Sequence, residues 1–143
     1  MDSPDFEMKI LFRSCADARA RVRSVIESLL AHGDDPQFRP SEIDEILIGV
    51  QESLTNIARH AYAGAERPIE LKIHLGRGRF AAEIRDQGEP LNAERLVFRD
   101  PREPSSSGRG LLLLHRSMDH VAFRREGKKN VLRIERASRA PRR

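Results

Sequence analysis

The sequence has no tryptophan, one tyrosine and one cysteine among its 143 residues. Each shortage excludes something. Without tryptophan, and with Tyr62 alone, a base-stacking platform for single-stranded nucleic acid is poorly supplied. Cys15 by itself closes no intramolecular disulfide, and no CxxC or Cys/His grouping gives metal-ligand spacing, which fits a reducing compartment. His60, His74, His115 and His120 are scattered over different expected elements, so no histidine metal site is expected. No stretch approaches the roughly 18 apolar residues of a membrane span. Met1 to Glu7 carries Asp2, Asp5 and Glu7 instead of the basic segment and apolar run of a signal peptide. The expectation is a cytoplasmic, soluble protein with no membrane partner.

What is present fits one domain, large enough to bury a hydrophobic core without disulfides. The formal net charge of +4 raises the question of nucleic-acid binding. Position opposes it. Arg136, Arg139, Arg142 and Arg143 lie in the last eight residues, and without them basic and acidic side chains balance. The expected division is a domain over 7–136 and a basic disordered tail over 137–143, with no nucleic-acid partner.

Periodicity places the elements. Met8, Ile10 and Phe12 alternate as in a short strand. Ser14 and Asp17 form a capping-box pattern ahead of Val22, Val25, Ile26, Leu29 and Leu30, a helix ended by Gly33. After the loop Asp34–Pro40, Ser41 and Asp44 offer a second cap. Ile43, Ile46, Leu47, Val50, Leu54, Ile57, Ala58 and Ala61 then make one apolar stripe running to about Tyr62. Ile69, Leu71, Ile73 and Leu75 alternate, Gly76-Arg77-Gly78 turns, and Phe80, Ala82 and Ile84 alternate again up to Asp86, a hairpin with one buried face. Gly88 to Ser107 is polar and proline-containing, a long loop of the kind that is usually functional. Leu111 to Met118 reads as a short helix. Val121 and Phe123 pair in pattern with Leu132 and Ile134 across Gly127-Lys128-Lys129. The order β-α-α-β-β-loop-α-β-β predicts an α+β fold, a single-domain two-layer sandwich with helices on one face of a mostly antiparallel mixed sheet.

Three groups of residues carry candidate chemistry. Glu52 and Asn56 stand four apart and share one face of the second helix. A carboxylate serves as base or ligand, and an amide oxygen suits a hard cation that keeps most of its waters. Gly49 on that flank costs about 1 kcal/mol of helix propensity against alanine, a sign that something approaches the backbone there. Asp86 ends a strand with Gly88 two residues on. Both are turn formers, and the same pair also suits an exocyclic amine on the carboxylate and a flat ring against the glycine. Gly108-Arg109-Gly110 precedes a helix, where unpaired backbone N–H groups favour an anion. Ser105 to Ser107 reads as part of a flexible segment, and Cys15 as an inert small residue or a thiol activated near a helix start.

The order and spacing of Gln51-Glu52-Ser53-Leu54-Thr55-Asn56-Ile57-Ala58-Arg59-His60-Ala61-Tyr62, then Asp86-x-Gly88, then Gly108-Arg109-Gly110-Leu111 resemble the ATP-binding boxes of the GHKL superfamily. Within it, the sequence resembles the anti-sigma-factor serine/threonine kinases of bacterial partner-switching systems. The resemblance implies a Bergerat-type ATP-binding fold with ATP and Mg²⁺ as cofactors. It makes Glu52 the catalytic base toward a serine hydroxyl and Asn56 the Mg²⁺ ligand. Asp86 and Gly88 fall to the adenine, Gly108, Arg109, Gly110 and Leu111 to the phosphates, and Glu89–Ser107 becomes a lid. The implied partners are an antagonist protein of the STAS type, a sigma factor or equivalent target, and a second copy in a homodimer. The alternative is a non-catalytic, nucleotide-gated protein-binding module. Two positions depart from the family pattern: Pro90 stands where a second glycine is common, and Asn130 stands near the last strand where a threonine is usual. Asn130 is either a hydrogen-bonding partner through water or a turn residue.

Overall fold

The computed structural model describes residues 6–31, 38–90 and 114–139. Strand β1 (Phe6–Phe12) is followed by helices α1 (Cys15–Ala31) and α2 (Pro40–Asn56), a π-helical turn (Ile57–Ala61), the hairpin β2 (Ile69–Gly76) and β3 (Arg79–Asp86), and the hairpin β4 (His120–Glu126) and β5 (Lys129–Ala137). The strands form one sheet in the order β1-β2-β3-β5-β4. Every pairing is antiparallel, so the sheet expected to be mostly antiparallel is so throughout. The closing hairpin has the register read from its pattern, with Val121 opposite Ile134 and Phe123 opposite Leu132.

Helix α1 starts where its capping box predicts. The Asp17 amide donates to Ser14 Oγ at 3.0 Å, and the Arg13 amide donates back to Asp17 Oδ2 at 3.1 Å. Helix α2 differs from expectation. It begins at Pro40 with Arg39 as N-cap, not at Ser41 with Asp44, because a proline lacking an N–H and holding a helical φ suits the first helical position. Glu42 then stands at the third position, where its carboxylate accepts the Arg39 amide at 3.1 Å.

The core lies between the helices and one sheet face. Val22, Ile26 and Leu30 of α1 and Ile46, Leu47, Val50 and Leu54 of α2 meet Ile69, Leu71, Ile73, Phe80, Ile84, Leu132 and Ile134, all buried. Each such aliphatic side chain contributes about 1.5–3 kcal/mol on leaving water, which outweighs the mediocre helix propensity of the β-branched residues in the stripe. The opposite sheet face is a lattice of charges. At its centre Glu83 is nearly buried although it faces away from the core, and Arg124 at 2.9 Å, Arg85 at 3.5 Å and Arg133 at 3.8 Å surround it. Among the described residues, no helix is long and apolar enough to cross a membrane.

The basic tail needs correction. Arg136, at 3 % exposure, sits on the core face of β5 beyond the apolar rows. Its guanidinium donates to the Ser117 carbonyl at 2.8 Å and to Glu45, and lies 3.6 Å from Glu42. Ala137 still belongs to β5, and the Arg139 amide donates to Glu42 at 2.8 Å while its guanidinium reaches Asp119 at 2.7 Å. Part of the C-terminal charge is therefore structural, because each cation meets a carboxylate on another element. Residues 140–143 and Gly33 lie outside the described residues. Burial opposes ionisation of Glu42, but the Arg139 and Arg39 amides, the Ser138 hydroxyl and the Arg136 charge together hold its carboxyl below the usual 4.5. A depressed carboxylate contributes stability above its unfolded value and loses it in acid. We therefore expect Arg136→Ala to lose about 3 kcal/mol in denaturant titrations at pH 7. The gap to wild type should narrow as pH falls below 4.5.

Candidate functional site

Helix α2 carries Glu52 and ends at Asn56, where the ladder widens into the π turn and the Tyr62 amide reaches back to the Ile57 carbonyl at 3.0 Å. The apolar pattern predicted an unbroken α-helix to Tyr62. Periodicity did not show the widening, which is made good by contacts to another element. Single π turns recur at functional sites. Here the turn points the Ala61 carbonyl at the Glu89 amide (3.0 Å) and places the Tyr62 hydroxyl to accept the Gln87 amide at 2.9 Å while it donates to the Pro68 carbonyl. The end of α2 is thereby bonded to the Asp86 turn. Asn56 is 6 % exposed and its side-chain nitrogen has no hydrogen-bond partner, whereas Glu52, one helical turn back, is partly open to solvent.

Asp86 is the last residue of β3 and is 1 % exposed. Its Oδ1 accepts the Gly88 amide at 2.9 Å and the Asn130 side-chain amide at 2.8 Å, while Oδ2 is buried with no partner. Burial raises its pKa above the ordinary carboxylate value, and the bonds from Asn130 and Gly88 and the charges of Arg125 and Arg67 offset only part of the rise. Among the described residues two other buried side-chain atoms lack partners, Arg85 Nε and Arg136 Nε, but each belongs to a guanidinium bonded through its other nitrogens. Asn56 and Asp86 are the residues left with an open valence at a helix end and a strand end. Leaving such a group unsatisfied costs about 1–3 kcal/mol, which a bound polar ligand recovers.

Both glycines sit at close approaches, and the structure shows what approaches each. A Cβ on Gly49 would lie 2.3 Å from Met118 Cε, so what approaches the α2 backbone is the residue after the helical turn at 114–117. A Cβ on Gly88 would lie 2.3 Å from the Ala61 carbonyl oxygen, so this glycine is required for helix end and turn to touch. Cys15 is buried, and desolvation followed by the Asp86 charge pushes its thiol up to about 11, which makes it the inert alternative.

Arg125 and Asn130 join the site from the last hairpin. Asn130 is paired with Asp86 across β3 and β5 and with Arg125 across β4 and β5. It is a strand residue with direct bonds, not the turn residue that was one of its two readings. The hairpin pattern would have placed Arg125 opposite Asn130 by counting, but nothing in the sequence sets β5 beside β3. Gly108, Arg109, Gly110 and Leu111, with most of the proposed lid, lie outside the described residues. Leu114, four positions beyond Gly110, is fully buried. Among the described residues no group of three or more His, Cys, Asp or Glu is placed to hold a metal ion. A cation held by Asn56 would thus take most of its ligands from water and phosphate. A cleft of about 670 Å³ lined by His74, Arg79, His120 and Arg133 opens elsewhere, near the β2–β3 turn, and includes none of Glu52, Asn56 and Asp86.

The fold is a two-layer α+β sandwich with an orphaned amide at a helix end and an orphaned carboxylate at a strand end. Residues 14–136 match the histidine kinase-like ATPase domain, and the chain belongs to that family. Among solved structures it is similar to the RsbU and RsbW domains of Rv1364c from Mycobacterium tuberculosis, with TM-score 0.63 and 18 % identity over 98 % of this chain and 34 % of that one. It also resembles the histidine kinase domain of a blue-light activated histidine kinase from Erythrobacter litoralis, with TM-score 0.54 and 18 % identity over 87 % of this chain and 61 % of that one. A third similar structure is the Acinetobacter baumannii histidine kinase AdeS, with TM-score 0.52 and 16 % identity over 93 % of this chain and 68 % of that one. The chain thus spans about a third of the first of these structures and about three fifths of the second. No curated protein matches it significantly. The family implies ATP, and the open N–H of Asn56 and the open oxygen of Asp86 match a ligand that offers an acceptor such as a phosphate oxygen and a donor such as a base amine.

Gly49→Ala presses on Met118 Cε and Cγ and on the Ser117 hydroxyl, all side-chain atoms of buried residues, so the overpacking outweighs the gain in helix propensity and stability in urea should fall by about 1 kcal/mol. Gly88→Ala meets backbone and should lose about 2 kcal/mol or more. For Asp86, a raised carboxyl means that ionisation costs stability at neutral pH, and the cost disappears as pH falls toward the unfolded value of 3.8. Asp86→Asn keeps an acceptor for Gly88 and Asn130 while removing the buried charge. It should be at least as stable as wild type at pH 7, with the advantage fading in acid, and should lose ATP binding in calorimetric titration.

Proposed function

We propose that the chain is an ATP-dependent protein serine/threonine kinase of the partner-switching type. It acts as a cytoplasmic homodimer that phosphorylates an antagonist protein of the STAS type and sequesters a sigma factor or equivalent target while that antagonist is unavailable. The observation that carries this reading is the pairing of a partly exposed carboxylate, Glu52, with the buried Asn56 one helical turn on, at a helix end bonded to the turn that follows the unsatisfied Asp86. The fold likeness to a structure containing an RsbW domain supports it.

In this reading the amide oxygen of Asn56 would hold Mg²⁺ and Asp86 Oδ2 would accept the adenine amine. Gly108, Arg109, Gly110 and Leu111 supply backbone and guanidinium donors to the phosphates, as their place ahead of a helix favours. Bound ATP with Mg²⁺ supplies the phosphoryl group and neutralises its charge. Glu52 would orient the attacking serine hydroxyl and take its proton as the serine O–P bond forms and the bond from the γ-phosphorus to the β–γ bridging oxygen breaks, with ADP as the leaving group. Positioning and charge neutralisation provide most of phosphoryl-transfer catalysis, so one carboxylate base and one cation ligand are enough.

The test is incubation of purified protein with Mg²⁺, labelled ATP and candidate antagonist proteins, read by mass spectrometry for phosphoserine or phosphothreonine. Wild type should transfer phosphate, and Glu52→Gln should transfer about 100-fold more slowly or worse while still binding ATP. Wild type that binds ATP but yields no phosphorylated product, with ATP-dependent partner capture unaffected by Glu52→Gln, would establish the nucleotide-gated binding module instead.

A further inference from the structure

We infer that the cleft at the β2–β3 turn end of the charged sheet face is a docking site for an acidic peptide segment of a partner protein. The inference stands apart from the ATP reading. Arg79 and Asp86 are the first and last residues of β3 and point to opposite faces of the sheet, so about 24 Å of strand separates the two places.

The cleft exists because small residues fall together in register. Arg79 stands between Gly76 of β2 and Ala137 of β5, and Ala81 stands between His74 and Glu135. In the next row on this face stand Lys72, Glu83 and Arg133, all long side chains. A floor of Gly76, Ala81 and Ala137 beside taller neighbours leaves the opening of about 670 Å³, with His74, Arg79, Arg133 and His120 in its lining. The walls are pre-formed. The Ser138 amide donates to the Gly78 carbonyl at 2.6 Å, and the Asp119 amide donates to the Glu135 carbonyl at 2.8 Å. A site fixed in this way loses little conformational freedom when it is filled.

The charge pattern sets the chemistry of the occupant. Two carboxylates line the cleft and both are engaged: Glu135 accepts Arg133 Nε at 2.8 Å, and Asp119 accepts the Ala137 amide and the Arg139 guanidinium, each at 2.7 Å. Elsewhere on this face Lys9 meets Glu70 at 3.0 Å, Lys72 meets Glu7 at 3.1 Å, and Arg124 meets Glu83 at 2.9 Å. Arg79 is exposed and, among the described residues, has no carboxylate partner, since its cross-strand neighbours carry no charge. Its planar fork suits a carboxylate.

The shape sets the length of the occupant. From β2 to β4 the lining crosses three interstrand gaps, about 14 Å, which is the span of about four residues of extended chain. His74 and His120 stand at the two ends, with Arg79 and Arg133 between them. One exposed ion pair contributes about 0.2–1 kcal/mol, so a compact ion that reaches a single cation is held weakly, while carboxylates spaced along a peptide add their contacts. Nucleic acid fits less well, because the phenyl ring in the lining, Phe80, is 1 % exposed and offers no face to stacked bases.

The experiment is fluorescence anisotropy of labelled hexaglutamate with wild type, Arg79→Glu, Arg79→Ala, Ala137→Leu and Lys128→Glu, with circular dichroism to confirm folding. It is run at physiological ionic strength, where exposed charges more than about 8 Å apart are largely screened. Wild type should bind the peptide. Arg79→Glu should weaken binding by about 5-fold or more and Arg79→Ala by less, and the alanine variant carries the test where the charge reversal does not fold. Ala137→Leu fills the cleft without changing charge and should also weaken binding. Lys128→Glu makes the same charge reversal in the β4–β5 turn, at the opposite end of the sheet, and should change affinity by less than about 2-fold. Wild type that does not bind, an affinity indifferent to Arg79, equal losses in Arg79→Glu and Lys128→Glu, or no loss in Ala137→Leu overturns the docking site. Labelled dodecathymidylate bound as tightly, with the same dependence on Arg79 and Ala137, overturns the peptide assignment and makes the cleft a general anion groove.

Discussion

The close approach of Gly88 to the Ala61 backbone is the contact on which the site depends. It brings the end of the long helix and the end of a central strand together, with the Glu89 amide bonded to the Ala61 carbonyl and the Gln87 amide to the Tyr62 hydroxyl. Helix and sheet could pack through the apolar core in a range of small offsets, since aliphatic contacts are non-directional. Backbone hydrogen bonds at about 3 Å admit no such range. The π turn fits the same constraint. It changes the path of the chain after Asn56 so that Ala61 and Tyr62 face the strand end, and the helical bonds lost there are replaced by bonds across the two layers.

The two ends of the sheet handle buried polarity in opposite ways. At one end Arg136 is met by Glu42, Glu45 and the Ser117 carbonyl, so a buried charge ties β5 to the start of α2. At the other end Asp86 and Asn56 are buried with an oxygen and a nitrogen unanswered. A fold optimised only for stability would satisfy or remove those atoms. Their persistence supports the proposed ligand site, and membership of the histidine kinase-like ATPase domain family implies ATP as the ligand.

Much of this was legible in the residues. The capping box at Ser14 and Asp17, the apolar stripe of α2, and the pairing of Val121 with Ile134 and Phe123 with Leu132 all stand as read, because each depends on neighbours in sequence. Glu52, Asn56 and Asp86 were visible as polar residues near the ends of their elements for the same reason. Gly49 and Gly88 were visible as sites of close approach, but not what approaches them. The starting residue of α2 was misplaced because a proline at the first helical position outweighed a weaker cap signal. Arg136 and Arg139 looked like tail charge because their carboxylate partners are far away along the chain.

By itself the sequence determined the element order, the one-sided apolar pattern of helices and strands and the identity of the polar residues at their ends, since periods of 2 and 3.6 are local properties of the backbone. Only the tertiary structure decided that β5 lies between β3 and β4, which sets Asn130 against Asp86 and brings Arg125 behind it. It also decided which polar atoms remain unsatisfied. Register between distant strands and the loss of water around a given oxygen are sums over contacts from the whole chain, and no local pattern encodes them.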